Sequence, residues 1–159
     1  MGTRPPVWRR LELSSELFLD DLHEILQTAF GWTDSHLHRF ASGGSGFDMS
    51  AQLYLCPFDV EEGEDEGVPE EEVRLDEVLV EVGEKLHYDY DYGDGWEHVV
   101  RLDAVLDLSA GAPVARCTGG RRAGPPEDCG GVGGYEALVA AGEIDGDDFD
   151  AAEVNALLA

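Results

Sequence analysis

Apolar and polar residues alternate from Val7 to Leu13, the period of a half-buried strand. Ser14 and Ser15 then supply a cap for a helix from about Glu16 to Phe30, with Phe18, Leu22, Ile25, Leu26 and Ala29 as its buried stripe and Gly31 as its stop. His36 to Ala41 and Phe47 to Leu55 read as strands around a turn at Gly43-Gly44-Ser45-Gly46. Residues 57–72 are rich in Pro and Glu and predict an acidic mobile loop. Val73 to Val80 fits a short helix built on Leu75, Val78 and Leu79. Leu86 to Tyr92 and Trp96 to Leu102 fit a hairpin around Gly93-Asp94-Gly95. Residues 109–134 predict irregular chain, followed by helices at Tyr135 to Ala141 and about Ala151 to Leu158, the latter capped by Asp150. Regular helix–strand alternation is missing. The order therefore predicts one α+β domain over 1–159, with a mainly antiparallel or mixed sheet, one longer N-terminal helix packed on it and short C-terminal helices.

The hairpin concentrates the candidate chemistry. Tyr88, Tyr90 and Tyr92 fall on one face of an ideal strand and Asp89 and Asp91 on the other. An architectural reading packs the tyrosines on the core and leaves the aspartates in water. A functional reading gathers Asp91, Asp94 and His98 as candidate catalytic groups, because carboxylates beside an imidazole can share a proton or bind a cation. Trp96 would wall that site.

Other residues extend the candidate list. His36 and His38 are two apart, which on a strand turns both imidazoles to one face, as chelation requires. The commoner outcome is one packed and one exposed. His23 lies beside the apolar helix stripe and reads as a partly buried or capping-side residue. Cys117 and Cys129 are not at zinc-ribbon spacing. A mixed zinc site of Cys117, Cys129 and His98 competes with a rigid loop, in which Pro125 and Pro126 fix φ and Glu127 and Asp128 accept backbone N–H bonds. Arg9 and Arg10 follow Trp8 on a strand and point to opposite faces. One can brace a carboxylate such as Asp91 or Asp94, or the pair can line a pocket for an anion. The run Gly130-Gly131-Val132-Gly133-Gly134 lacks the Gly-Lys-Ser/Thr ending of a phosphate loop, and the chain has neither a Gly-x-Ser-x-Gly elbow nor His-Glu-x-x-His.

Tyr90, Asp91, Gly93, Asp94, Trp96 and His98, together with Pro6-Val7-Trp8-Arg9-Arg10, Gly31-Trp32, His36-Leu37-His38 and Pro125 to Gly131, closely resemble the plasmid pRiA4b ORF-3-like family from about Pro5 to the C-terminus. The resemblance implies a further strand upstream of Val7, so the chain reads as a domain lacking that strand, with one sheet edge in question. It also implies a further cysteine near Ala123, and its loss here weakens a cysteine-rich metal site. The family has no established activity. Some members are labelled transposon resolvases, yet none of the serines named by such chemistry (Ser14, Ser15, Ser35, Ser42, Ser45, Ser50) has an arginine cluster around it in sequence.

Charge narrows the partners. The 159 residues include 35 acidic and 10 basic side chains, a net charge of −25, with Lys85 the only lysine. Such a chain repels phosphate backbones and lacks the counterion-release drive to bind DNA. The hydrophobic content of 43% is ordinary for a globular domain. No apolar run reaches membrane-span length, and Met1 to Pro6 lacks a signal core, so a cytoplasmic protein is expected. Three cysteines favour reduced thiols or a metal over a disulfide scaffold, although a Cys117–Cys129 bridge fits an oxidising compartment.

The leading expectation is a non-enzymatic binding or interaction module associated with plasmids or mobile elements, its groove lined by Trp8, Trp32, Tyr92, Trp96 and His98. The second is a metal-dependent or acid–base enzyme using Asp91, Asp94, His98 and Glu127 or Asp128. The third is an acidic nucleic-acid mimic that engages a DNA-handling protein.

Overall fold

The computed structural model describes residues 3–44, 46–107 and 111–158. Ser45 of the predicted glycine turn and the start of the predicted irregular stretch therefore lie outside the described residues. The chain forms two compact units: Met1–Ser14, Glu24–Ser35 and Pro113–Ala159 in the first, Ser15–His23 and His36–Ala112 in the second. Five helices and seven strands among the described residues give the expected α+β class. None of these helices is long and apolar enough to cross a membrane.

In the first unit, β1 (Trp8–Leu13) pairs antiparallel with β7 (Ala115–Arg121), and the register slips between Arg10 and Leu11. The sequence pattern predicts no strand at β7, because Gly119 and Gly120 dilute it. Gly120 has a packing reason: a Cβ there would meet the Phe149 ring at 2.7 Å and Trp8 O at 2.8 Å, whereas one on Gly119 would make only ordinary contact with Trp8. Helix α5 (Ala151–Leu158) is fastened to β7 by Asn155, whose amide accepts from Cys117 N at 2.7 Å and donates to Cys117 O at 2.9 Å. Ala29, Cys117 and Val154 form the local core, with Leu11 and Phe149 against it. The glycine run starts α4 (Gly131–Ala140): Gly130 takes φ +96° as its N-cap, and a Cβ on Gly134 would collide with Cys129 O.

In the second unit, a five-stranded sheet has the order β4-β3-β2-β5-β6. These strands are β2 (His38–Ser42), β3 (Gln52–Leu55), β4 (Val68–Pro69), β5 (Lys85–Tyr90) and β6 (Trp96–Arg101), all antiparallel except the β3–β4 pair. Helix α1 (Leu19–Phe30) contributes its first residues here and the remainder to the first unit. It starts later than predicted because Ser15 and Glu16 form a turn and Leu17 and Phe18 then pair with residues 73–75. Phe18 bridges Arg74, Leu17 O accepts from Leu75 N, and Ser15 O accepts from Asp76 N.

The acidic segment 57–72, expected as a loop, holds α2 (Pro57–Glu62), β4 and a 3-10 turn (Glu70–Glu72). Two of its carboxylates, Asp59 and Glu70, are buried. Their partners, far away in sequence, explain why acidity did not keep the segment out of the fold. A four-residue helix, α3 (Leu75–Val78), follows and buries Leu75.

Candidate functional site in the signature hairpin

Strand register sorts the hairpin residues onto two faces. His38 lies opposite Tyr90, Phe40 opposite Tyr88, Tyr88 opposite His98, and Tyr90 opposite Trp96. These residues share one face, against which His23 of α1 also packs. Arg39 lies opposite Asp89 on the other face.

The predicted alternation ends at Asp91, which takes a left-handed φ of +58°. Its Oδ1 accepts from the N–H groups of Gly93 and Asp94, and its carbonyl accepts from Gly95 N, so Asp91 shapes the hairpin turn. Its Oδ2 lies 3.6 Å from His36 Nε2. The break sends Tyr92 away from Tyr88 and Tyr90, to the face of Arg39. Asp89 is not solvated either: it is buried and accepts from Gly46 N at 2.9 Å.

Two polar clusters result. On the Arg39 face, the guanidinium donates to Gly46 O at 3.0 Å, Tyr92 Oη at 3.2 Å and Asp65 at 2.9 Å, and reaches Asp59 at 3.4 Å. It also lies over the rings of Phe47 and Tyr92. Tyr92 donates to Asp59 at 2.7 Å. Burial first, and then Asp59, push the phenol well above its ordinary pKa. Beside this cluster, Leu37, Phe58, Glu62 and Glu64 complete a cleft of about 230 Å³.

On the opposite face, His23 and His38 stack with ring centroids 3.4 Å apart. His23 Nδ1 shares a 2.7 Å hydrogen bond with Tyr88 Oη, and His38 Nε2 lies 2.5 Å from Glu70 Oε1. His98 places Nδ1 3.1 Å from Tyr88 O. Burial lowers the His98 pKa to about 4, with the Tyr88 and Trp96 backbones opposing the shift. His98 is thus a neutral imidazole at pH 7.

The plasmid pRiA4b ORF-3-like protein family matches residues 1–158. The chain belongs to this family. It is 34% identical over 140 residues to an uncharacterized protein, y4hQ, of Sinorhizobium fredii, an alignment covering 86% of this chain and 66% of the relative. It therefore spans slightly less than two thirds of that protein. Its fold resembles the crystal structure of a protein of unknown function, MM3350, from Methanosarcina mazei Go1 (TM-score 0.81, 28% identity, 96% of this chain and 91% of the other).

The remaining candidates of this pRiA4b ORF-3-like chain lie in the first unit. Arg9 is a brace, but of carbonyls: its Nε donates to Ala29 O at 2.8 Å, Nη1 donates to Trp8 O and Arg121 O, and the guanidinium lies near the Phe30 and Phe149 rings. Arg10 and Trp8 are exposed. Trp32 donates Nε1–H to Pro125 O at 2.7 Å, and Glu127 accepts from Thr33 Oγ1 at 3.3 Å, so both hold the Pro-Pro loop. Asp128 is an exposed turn residue with φ +56°.

Cys56, Cys117 and Cys129 are all free thiols, so no Cys117–Cys129 bridge forms. Cys117 Sγ donates to Gly119 O, and Cys129 Sγ donates to Gly131 O. Among the described residues, no group of ligand atoms close enough to hold an ion includes a cysteine.

Sequence reasoning passed over Arg39, Asp59, Glu70 and Tyr88 as a polar framework, and left His23 as a packing residue. The signal available for Arg39 was its position directly before the apolar pair Phe40-Ala41 in a predicted strand, in a chain with few cations.

Proposed function

We propose that this protein is a non-enzymatic binding module that takes a basic side chain of a protein partner into the cleft beside Arg39. The observation that carries this reading is the chemistry of that cleft. Asp59, Glu62, Glu64 and Asp65 bring four carboxylates against the single guanidinium of Arg39, and Phe58 and Tyr92 add aromatic surface. Phe58 is exposed, so its ring is presented to solvent. Excess carboxylate beside aromatic rings favours a guanidinium or ammonium group.

Size supports a side chain over a cofactor. About 230 Å³ falls below the roughly 300–1,000 Å³ of ordinary small-molecule pockets. The net charge of −25 steers basic segments in and keeps nucleic acid out. The plasmid in the family's name supports a partner encoded on a plasmid or mobile element, such as a DNA-handling protein with basic segments.

Titration with a short arginine-rich peptide at low and high salt tests this reading. Binding is expected to weaken with salt, and to weaken at least several-fold when Glu62→Gln, Glu64→Gln and Asp65→Asn are combined. Glu62, Glu64 and Asp65 are exposed, and the amide oxygen of Asp65→Asn can still accept from Arg39, with urea unfolding of the triple variant checking that the fold is kept. Affinity unchanged in the triple variant sinks the cleft as the site.

A further inference from the structure

We propose that the outer edge of β6 pairs with β6 of a second copy of this chain, antiparallel about a two-fold axis at Val99. The five-stranded sheet of the second unit ends in β4 on one side and β6 on the other. β4 has two residues, one of them Pro69, and Glu70, Glu71 and Glu72 follow it. Short length, proline and like charge are common ways of blunting a sheet edge. β6 has six residues, neither Pro nor Gly among them, and an unbroken register against β5.

The ladder fixes which backbone groups face outward. Leu102 N donates to Glu84 O, on the β6 side of β5, whereas Asp91 N donates to Leu37 O, on the β2 side. Successive residues of a strand turn their backbone groups to alternate neighbours. Trp96, His98, Val100 and Leu102 therefore bond towards β5, and Glu97, Val99 and Arg101 turn their N–H and C=O groups away from the sheet. All three of these residues are exposed, and Val99, an apolar β-branched residue, is 57% exposed.

Charge selects a second copy as the occupant, and it selects the register. Within the chain, Glu97 lies opposite Asp89 and Arg101 opposite Lys85. Both are like-charged pairs, which destabilise a sheet. The ion pair of Arg101 with Asp103 is exposed on both sides and so has little weight. Glu97 and Arg101 stand two residues to either side of Val99. With Val99 opposite the partner's Val99, Glu97 meets the partner's Arg101, and Arg101 meets the partner's Glu97. Both ends of the strand then gain an opposite charge, and the outward backbone groups of all three residues find partners. An axis at His98 or Val100 would instead set Val99 against the partner's Glu97 or the partner's Arg101. Two edge strands make a small interface, and each chain carries a net charge of −25, so a weak reversible dimer is expected. The Arg39 cleft is built from β2 and α2, so this surface is separate from it.

Sedimentation velocity of the full chain from micromolar to millimolar concentration tests the pairing, at about 0.15 M salt so that charges more than about 8 Å apart are screened. A dimer is expected, with the Glu97, Val99 and Arg101 amides gaining hydrogen-exchange protection as it forms. Glu97→Arg and Arg101→Glu should each weaken it about tenfold, because both symmetric pairs become like-charged. The double variant Glu97→Arg with Arg101→Glu should restore it, since opposite charges face each other again. Val99→Pro removes an outward N–H without touching a bond to β5, and should abolish the dimer. A monomer at every concentration, a dimer indifferent to Val99→Pro and to both single reversals, or a double variant as weak as the single ones overturns the proposal. Should Val99→Pro fail to fold, the charge variants at exposed positions decide.

Discussion

Tyr92 donates its phenolic proton to Asp59 at 2.7 Å while accepting from Arg39 Nε at 3.2 Å, so one hydroxyl links a buried cation to a buried carboxylate. The left-handed turn at Asp91 makes this possible by ending the strand alternation one residue before Tyr92. Arg39 is 5% exposed, and its compensation comes from Asp59, Asp65, Gly46 O and two aromatic rings. Removing one partner of a buried ion pair costs about 3–5 kcal/mol. Arg39→Ala is therefore expected to destabilise the fold by about that amount in urea unfolding. Arg39→Lys should recover little, because an ammonium lacks the planar fork and stacks poorly on rings. Tyr92→Phe should cost less, about 1–3 kcal/mol. Equal stability of Arg39→Ala and wild type would show that the cluster is not structural.

His98 predicts a specific acid response. Its folded pKa is lowered from 6.5 to about 4, chiefly by burial. Below pH 6.5 the unfolded chain binds a proton that the folded chain refuses, so stability falls as pH drops from 6.5 towards 4. The full effect is at most about 3.5 kcal/mol, at about 1.4 kcal/mol per pH unit. His98→Gln should flatten this part of the stability–pH profile, leaving the carboxylate contributions. Urea midpoints measured from about pH 7 to about pH 5 check it. Parallel profiles for the two proteins would mean that His98 titrates normally in the fold.

Periodicity made most of the fold legible, and the exceptions have local causes. The alternation at Val7 to Leu13 formed the predicted strand. That at Leu86 to Tyr92 formed one ending at Tyr90, with Asp89 buried as well as Leu86, Tyr88 and Tyr90. Leu22, Leu26 and Ala29 of the helical stripe are buried, whereas Phe18 precedes the helix and is exposed. Strand β7 was hidden because Gly119 and Gly120 dilute its pattern, and the requirement for Gly120 comes from Phe149 and the Trp8 carbonyl, which are distant in sequence. The acidic segment misled because Asp59 and Glu70 are held by Tyr92, Arg39 and His38, and no local pattern encodes those partners. The same limit applied to the candidate site. The motif drew attention to Asp91, Asp94, Trp96 and His98, whereas the polar clusters also needed His23, Arg39, Asp59 and Glu70. His36 and His38 were expected on one strand, either chelating from one face or, more commonly, with one packed and one exposed. Since β2 begins only at His38, His36 instead meets Tyr90 edge-on and approaches Asp91, while His38 stacks on His23.

Gly124 tests the close approach of the Pro-Pro loop to the end of α1 within the first unit. A Cβ there would lie 1.9 Å from Phe30 O, a backbone atom that cannot rotate away. Gly124→Ala must shift either strand of chain, and overpacking of this kind costs about 1–3 kcal/mol. The Trp32 Nε1–Pro125 O bond, 2.7 Å long, is next to the clash and should weaken with it. Thermal unfolding should show the loss, and tryptophan fluorescence should report the change at Trp32. Gly133→Ala provides the contrast, because a Cβ at Gly133 meets nothing within 4 Å. It should be neutral or slightly stabilising through helix propensity.

The three thiols should differ in reactivity in an order set by burial. Cys56 and Cys117 are buried, and Cys129 is partly exposed. The thiolate is the reactive species, so both access and pKa matter. Burial, with the nearby Asp59 and Glu70 charges, pushes the Cys56 thiol above its ordinary value, and backbone hydrogen bonds only partly oppose this. With a disulfide reagent at mildly alkaline pH, Cys129 should react first in the native chain, and Cys56 and Cys117 only on the timescale of opening. All three should react at once in denaturant, in agreement with free thiols. Asp59→Asn removes one charge that holds the Cys56 thiol protonated and loosens the Arg39 cluster, so it should accelerate Cys56 labelling while leaving Cys129 unchanged. Rapid native labelling of Cys56 in the wild type would contradict the burial that places Asp59 and Glu70 around it.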